Sequence, residues 1–217
     1  LEDDLVTSPY FLKFMNDSLE LYKDEEKVWH ISGWNYPIDT EELNHTFLWR
    51  GMNCWGWATW ADRWKYYEKN IELTLSEFTK EDIKRFNLDG ATENFWSQIT
   101  DNKNKKINTW AIFWYATIFK NSGLCLNPTQ TLVENIGHDA SGTNCNFNTV
   151  YTNKIKGNNY KNVSTIIKEN DVVVKNIKDF YFMNKKTKLQ KIAKYIRDIY
   201  QNERFNPGLI GIIINPF

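Results

Sequence analysis

The chain has 217 residues, 41% of them apolar and 25% charged, enough for one substantial globular domain with at most a small appendage. Its 27 Lys and Arg are balanced by 27 Asp and Glu, so there is no net field to gather a polyanion, and the composition disfavours a dedicated nucleic-acid binder. Cys54, Cys125 and Cys145 are odd in number and widely spaced, which suits neither a disulfide framework nor a paired-cysteine zinc site. They read as reduced thiols of a cytoplasmic protein.

Leu1-Glu2-Asp3-Asp4 is an apolar residue followed by three acids, the pattern expected where a buried strand ends. It carries the expectation that an upstream half of the fold precedes it. Ser8-Pro9 predicts a helix start, with Ser8 as the N-cap and Pro9 at the first helical position. Phe11, Phe14, Met15, Ser18 and Tyr22 then share one helical face. Val28 to Trp34 and Phe47 to Arg50 read as short strands.

Ten tryptophans are present, and the densest run is Trp55-Gly56-Trp57-Ala58-Thr59-Trp60, followed by Trp64. Trp57, Trp60 and Trp64 have helical spacing, which predicts a helix from about Thr59 with the three rings on one side. Such rings serve either as an aromatic core or as stacking platforms for sugars. Further helices are expected at Thr79 to Phe86, with a capping-box start, at Thr92 to Thr100, and at Thr109 to Asn121. Leu124 to Leu126 and Thr131 to Val133 are strand candidates separated by Asn127-Pro128.

The composition changes after about Thr149. Residues 1–149 are expected to form the main domain and residues 150–217 a C-terminal extension, opening on an Asn- and Lys-rich irregular stretch. Leu189, Ile192, Ala193, Ile196 and Ile199 make one amphipathic helix with a basic outer face. It would pack on its own domain or lie on a membrane surface. Gly208 to Ile214 reads as an edge strand or a free end.

Glu2, Asp3 and Asp4 have two readings. One is a solvated charge run. The other is a site for a hard divalent cation, which one or two carboxylates suffice to hold while it neutralises a departing diphosphate. No serine or cysteine nucleophile pattern and no Gly-rich phosphate loop is present.

In this order, several segments resemble a bacterial family of metal-dependent glycosyltransferases related to N-acetylglucosaminyltransferase I. They are Leu1-Glu2-Asp3-Asp4-Leu5 with Ser8-Pro9-Tyr10-Phe11, Ile31-Ser32-Gly33, and Arg50 with Trp55-Gly56-Trp57-Ala58-Thr59-Trp60. Trp110-Ala111-Ile112-Phe113-Trp114-Tyr115 and the stretch from Asn135 to Thr143 complete the set. The resemblance spans about residues 1–145.

It implies an α/β fold, the C-terminal portion of a Rossmann-like GT-A glycosyltransferase, helix-rich with a few short strands. It implies sugar transfer, with inversion, from a nucleoside-diphosphate sugar (a UDP-sugar is expected) to a glycan acceptor of a bacterial surface polysaccharide. The rival reading is a non-catalytic carbohydrate-binding protein or an inactive fragment. Mn²⁺ or Mg²⁺ is the implied cofactor, with Asp4 as metal ligand and His138 as a second candidate; a surface histidine is the alternative for His138.

Asp3 would contact the ribose or the metal's water, and Glu2 the donor sugar. Trp57 joins them on the nucleotide-sugar side. Arg50 would pair with a phosphate, or else with an acid such as Asp62. Relatives place an aspartate base just before a Trp, where this chain has Asn108; Asp89, Glu93, Asp101 and Asp139 are the remaining candidates for the base. A further departure is Thr143-Asn144-Cys145 in place of Thr-His-Cys. His30, inside an apolar strand, reads as a packed core residue. The implied location is cytoplasmic, at the inner membrane face if the basic helix binds there.

Overall fold

The computed structural model describes residues 1–41, 43–137, 150–156 and 163–185. The compact unit runs from Leu1 to Phe182, past the boundary expected at residue 149. Cys145, the expected helix around Leu189 to Ile199 and the Gly208 to Ile214 run lie outside the described residues.

The chain is mixed α/β. Strands β1 (Leu5–Thr7), β2 (Val28–Ser32), β3 (Thr46–Trp49), β4 (Trp57–Ala58), β5 (Leu124–Pro128) and β6 (Val133–Asn135) form two small sheets. One has the order β3-β5-β2-β4, with β2 and β5 parallel and the other pairs antiparallel. The other is the antiparallel ribbon β1-β6, in which Leu5 faces Asn135 and Thr7 faces Val133. β2 (Val-Trp-His-Ile-Ser) is buried at every position, as a strand with neighbours on both edges should be.

The described helices are α1 (Phe11–Leu21), α2 (Ala61–Trp64), α3 (Ile71–Glu77), α4 (Lys80–Phe86), α5 (Asn94–Lys103), α6 (Ala111–Lys120) and α7 (Asp171–Asn184). α1 buries Phe11, Phe14, Met15 and Ser18, the expected face, but begins two residues later than the Ser-Pro signal predicts. Ser8 and Pro9 belong to a turn instead. The Ser8 hydroxyl accepts from Tyr10 N–H (3.1 Å) and its carbonyl from Phe11 N–H (3.1 Å), so the Ser still caps backbone donors, one turn early. The capping box of α4 is as expected: Thr79 Oγ1 accepts from Asp82 N–H (3.1 Å) and Asp82 Oδ2 from Thr79 N–H (3.0 Å).

Two apolar clusters fill the interior. The larger packs α1, α6 and α7 around the four-stranded sheet. The smaller joins Phe78, Phe86, Ile99, Ile112, Phe113, Tyr115 and Ala116 of α3 to α6 and their connections. α6 serves both, because Ile112 to Ile118 is buried without interruption. A helix apolar on all sides belongs between layers, which is why its sequence shows more than a single amphipathic face.

Three local expectations are corrected. Trp57 lies on β4 rather than at the head of a helix, because Trp57 pairs with Ser32 and Ala58 with Ile31. That leaves α2 only four residues. Pro128 sits within β5, at the strand's end, where its missing N–H costs little. Finally, α7 extends the fold beyond residue 149: Val173, Val174, Ile177 and Tyr181 enter the main core, and Tyr36 and Tyr181 join their hydroxyls at 2.9 Å.

Candidate functional site

The acidic motif is a turn rather than a strand end. Leu5 N–H reaches back to the Glu2 carbonyl (3.4 Å), and Asp3-Asp4 then leads into β1. Strand alternation therefore does not separate these side chains. Although Glu2 is largely exposed as a residue, partial desolvation of its carboxyl, then the charges of Asp4 and Asp3, raise its pKa. The Glu2 carboxyl thus senses the Asp4 charge.

Pairing of β1 with β6 brings the motif to residues some 130 positions away. Ile136 N–H donates to the Asp4 carbonyl (2.9 Å), and Gly137 follows directly. A Cβ on Gly137 would lie 2.5 Å from Asp4 Oδ2 and 3.1 Å from Asp4 Cβ, so only glycine allows the carboxylate its position. Among the described residues, Asp4 Oδ1 is buried and has no hydrogen-bond partner. An orphaned carboxylate oxygen is costly unless a further group completes it. His138 and Asp139, the next two residues, lie outside the described residues.

A second feature is an aromatic shelf on β4 and the segments that follow it. Gly56, at φ +60°, fits against Val133 of β6 and Phe11, where a Cβ would come within 2.7 Å of the Val133 side chain. Trp57 follows it on β4. The Trp57 ring stacks on His30 (centroids 5.2 Å apart, 17° between planes) and lies 5.2 Å from Trp110 and 5.6 Å from Trp64. Tyr67 stacks on the far side of Trp64 at 4.6 Å. Trp34, Trp49 and Trp114 are core residues, whereas Trp57, Trp60, Trp64 and Trp110 remain partly open. The core reading therefore holds for the buried rings, while the half-open ones keep part of their surface in solvent.

His30 is fully buried and underlies the shelf. Its Nε2–H faces the Asn53 carbonyl (2.9 Å), and its Nδ1 accepts from Trp114 Nε1 (3.2 Å). Both ring nitrogens are satisfied only in the neutral form, and burial lowers its pKa to about 4. It is a packed core residue, as expected.

Arg50 is placed elsewhere. It follows β3, whose Trp49 pairs with Cys125 near the beginning of β5, while Gly33, Gly56 and Val133 gather beyond the end of β5. Arg50 is thus at the opposite end of the sheet from Asp4, and a shared diphosphate between them is a reading this register opposes. Its guanidinium is instead taken by Glu169, with Nε to Oε1 at 2.9 Å and Nη2 to Oε2 at 2.9 Å, and Nη1 reaches Asp89 (3.2 Å). Asp62, the acid suggested by sequence, pairs with Arg63.

Asp89 also pairs with Lys178 of α7 at 2.6 Å. Partial burial works to raise its pKa, but the Lys178 hydrogen bond and the Arg50 charge outweigh this and hold it below the ordinary carboxylate value. A carboxylate held by two cations is a poor proton acceptor, so Asp89 reads as structural. Glu93 is exposed at the start of α5, and Asp101 pairs with Lys106 (3.3 Å). Asn108 accepts from Lys69 Nζ at 2.5 Å. Glu169 and Lys178 had no local sequence signal.

Among the described residues no three His, Cys, Asp or Glu side chains group as metal ligands, and no helix is long and apolar enough to cross a membrane. Cys54 and Cys125 are not in disulfides. No protein-family model matches the chain, and a search of curated proteins finds no match.

Proposed function

We infer that the chain is the metal- and acceptor-side portion of a GT-A glycosyltransferase, moving a sugar from a nucleoside-diphosphate donor, a UDP-sugar by preference, to a glycan acceptor. The observation that carries this reading is the Asp4 carboxylate: among the described residues, one oxygen is buried without a partner and the other is fitted against Gly137. Mg²⁺ and Mn²⁺ fit this donor set, since they take one or two carboxylates and fill the remaining positions from water and substrate phosphate. Asp4 would hold the ion, with Glu2 and Asp3 beside it for water or sugar hydroxyls. When bound, the ion neutralises the charge that develops on the leaving diphosphate. The half-open indoles give an acceptor sugar an apolar surface with polar edges.

The rival reading, a carbohydrate-binding protein without transfer activity, shares the shelf but gives Asp4 no task. UDP binding by the protein, with and without Mn²⁺, separates the two. Asp4→Ala is expected to remove the Mn²⁺-dependent component and leave glycan binding intact; metal-independent binding that ignores this substitution sinks the metal role. Gly137→Ala is expected to act like a milder Asp4 variant. Its methyl must displace the carboxylate, so Mn²⁺ titration should show at least a ten-fold weaker site with the far-ultraviolet spectrum unchanged.

A further inference from the structure

Beside the aromatic shelf, Lys69, Ile71, Ile107 and Asn108 line an open cleft of about 410 Å³ together with Lys105 and Lys106. Shelf and cleft are built by the same two chain segments, Tyr67 to Lys69 and Asn108 to Trp110, tied by the Lys69–Asn108 hydrogen bond. Among the described residues Lys69 and Lys105 have no carboxylate partner, and the nearby acids Asp101 and Glu72 are taken by Lys106 and Lys103. The lining thus combines three lysines with the apolar side chains of Ile71 and Ile107.

The turn that presents these lysines is fixed before any ligand arrives. Asn102 is buried, and its amide donates to Gln98 O (2.8 Å) and Thr109 Oγ1 (2.9 Å) while accepting from Thr109 N–H (3.0 Å). This clamp closes the loop from Lys103 to Thr109, with Lys105 held at φ +56°. Pre-ordering a cationic loop lowers the entropy lost on binding an anion.

We propose that the cleft binds the phosphate of a phosphorylated saccharide whose sugar ring packs against Trp110, which meets the neighbouring Trp64 edge to face at 6.3 Å. Lysine ammoniums suit a phosphate as point charges, and Ile71 and Ile107 suit the carbon skeleton beside it. The proposal rests on the shelf being a saccharide platform, as in the functional reading above, but not on the metal or the donor. In that reading the ligand is a phosphate-bearing acceptor.

Calorimetric titration of the protein with glucose 6-phosphate, glucose and inorganic phosphate tests it. The sugar phosphate is expected to bind with one-to-one stoichiometry at least ten-fold more tightly than either fragment, and to weaken as salt is raised. The exposed triple variant Lys69→Ala, Lys105→Ala, Lys106→Ala should lose at least ten-fold in affinity while keeping its circular dichroism. Asp4→Ala should bind the sugar phosphate normally, which keeps failure here distinct from failure of the metal site. Inorganic phosphate binding as tightly as the sugar phosphate, or a triple variant with undiminished affinity, overturns the proposal.

Discussion

Arg50→Ala is expected to destabilise the Leu1–Phe182 unit by about 3 kcal/mol, a drop of roughly 6–12 °C in Tm for a unit of this size. The reason lies in what the guanidinium joins. The segment before α7 runs along the free edge of β3: Ser164 N–H bonds Thr46 Oγ1 (2.7 Å), Glu169 bridges to Leu48, and Asn170 N–H bonds the Leu48 carbonyl (2.9 Å). Arg50 locks this strap from its side. Its side chain is 14% exposed and that of Glu169 21%, so both charges are largely withdrawn from water. The two-pronged contact also orients both groups.

Removing the arginine side chain leaves Glu169 partly buried without a counter-charge, held by the backbone N–H of residue 50 (2.9 Å), and takes one of two cations from Asp89. Breaking such a pair costs more than the pair contributes over an apolar replacement. Asp89 lies in a turn where Leu88 and Asp89 have φ of +52° and +55°, an uncommon backbone conformation that the Arg50 and Lys178 contacts help to hold. Arg50→Lys should fall between wild type and Arg50→Ala, because a single ammonium keeps the charge but loses the fork. Chemical denaturation measures this directly; a midpoint for Arg50→Ala within error of wild type would refute the strap's role.

That network also marks where sequence reading stops. Periodicity and capping patterns are local, and they located α1, α4, α6, β2, β3 and the start of β5 to within a few residues. They could not pair Arg50 with Glu169, which is 119 positions away, and the nearer Asp62 was the natural candidate. The Trp57 segment misled for a related reason. Trp57, Trp60 and Trp64 do have helical spacing, but the Ser32 edge of β2 captures Trp57 as a strand residue, and tertiary pairing overrides the period. Of the candidate site, the acidic motif and the indoles were visible as types of residue. The fit of Gly137 against Asp4 depends on the β1–β6 register, and no local pattern encodes it.

Stability is expected to fall by about 2 kcal/mol between pH 7.5 and pH 5 on account of His30 alone. An unfolded His titrates near 6.5, whereas burial lowers the folded value to about 4. Between these values the unfolded chain takes up a proton that the folded chain refuses. The contribution is therefore fully present above pH 6.5, declines as pH falls through the window, and is exhausted below about pH 4. A second proton would have to sit on Nδ1, where Trp114 Nε1–H already points at 3.2 Å, setting donor against donor with a charge in the core.

His30→Gln, which keeps a polar side chain without a titratable ring, should show a flatter profile over pH 7.5 to 5 in urea denaturation. Equal slopes for variant and wild type would rule His30 out as the cause. Acid should also reach the shelf before the whole fold fails, because Trp57 stacks directly on this ring and has no other buried support of the same geometry among the described residues. Binding of a saccharide on the shelf, as proposed, is therefore expected to persist while the folded ring stays neutral and to weaken only as pH approaches about 4, below the window in which stability falls; in His30→Gln that acid limb should be absent. Stability thus follows protonation of the unfolded chain, whereas the shelf follows protonation of the folded ring, and burial of the imidazole sets the two midpoints apart.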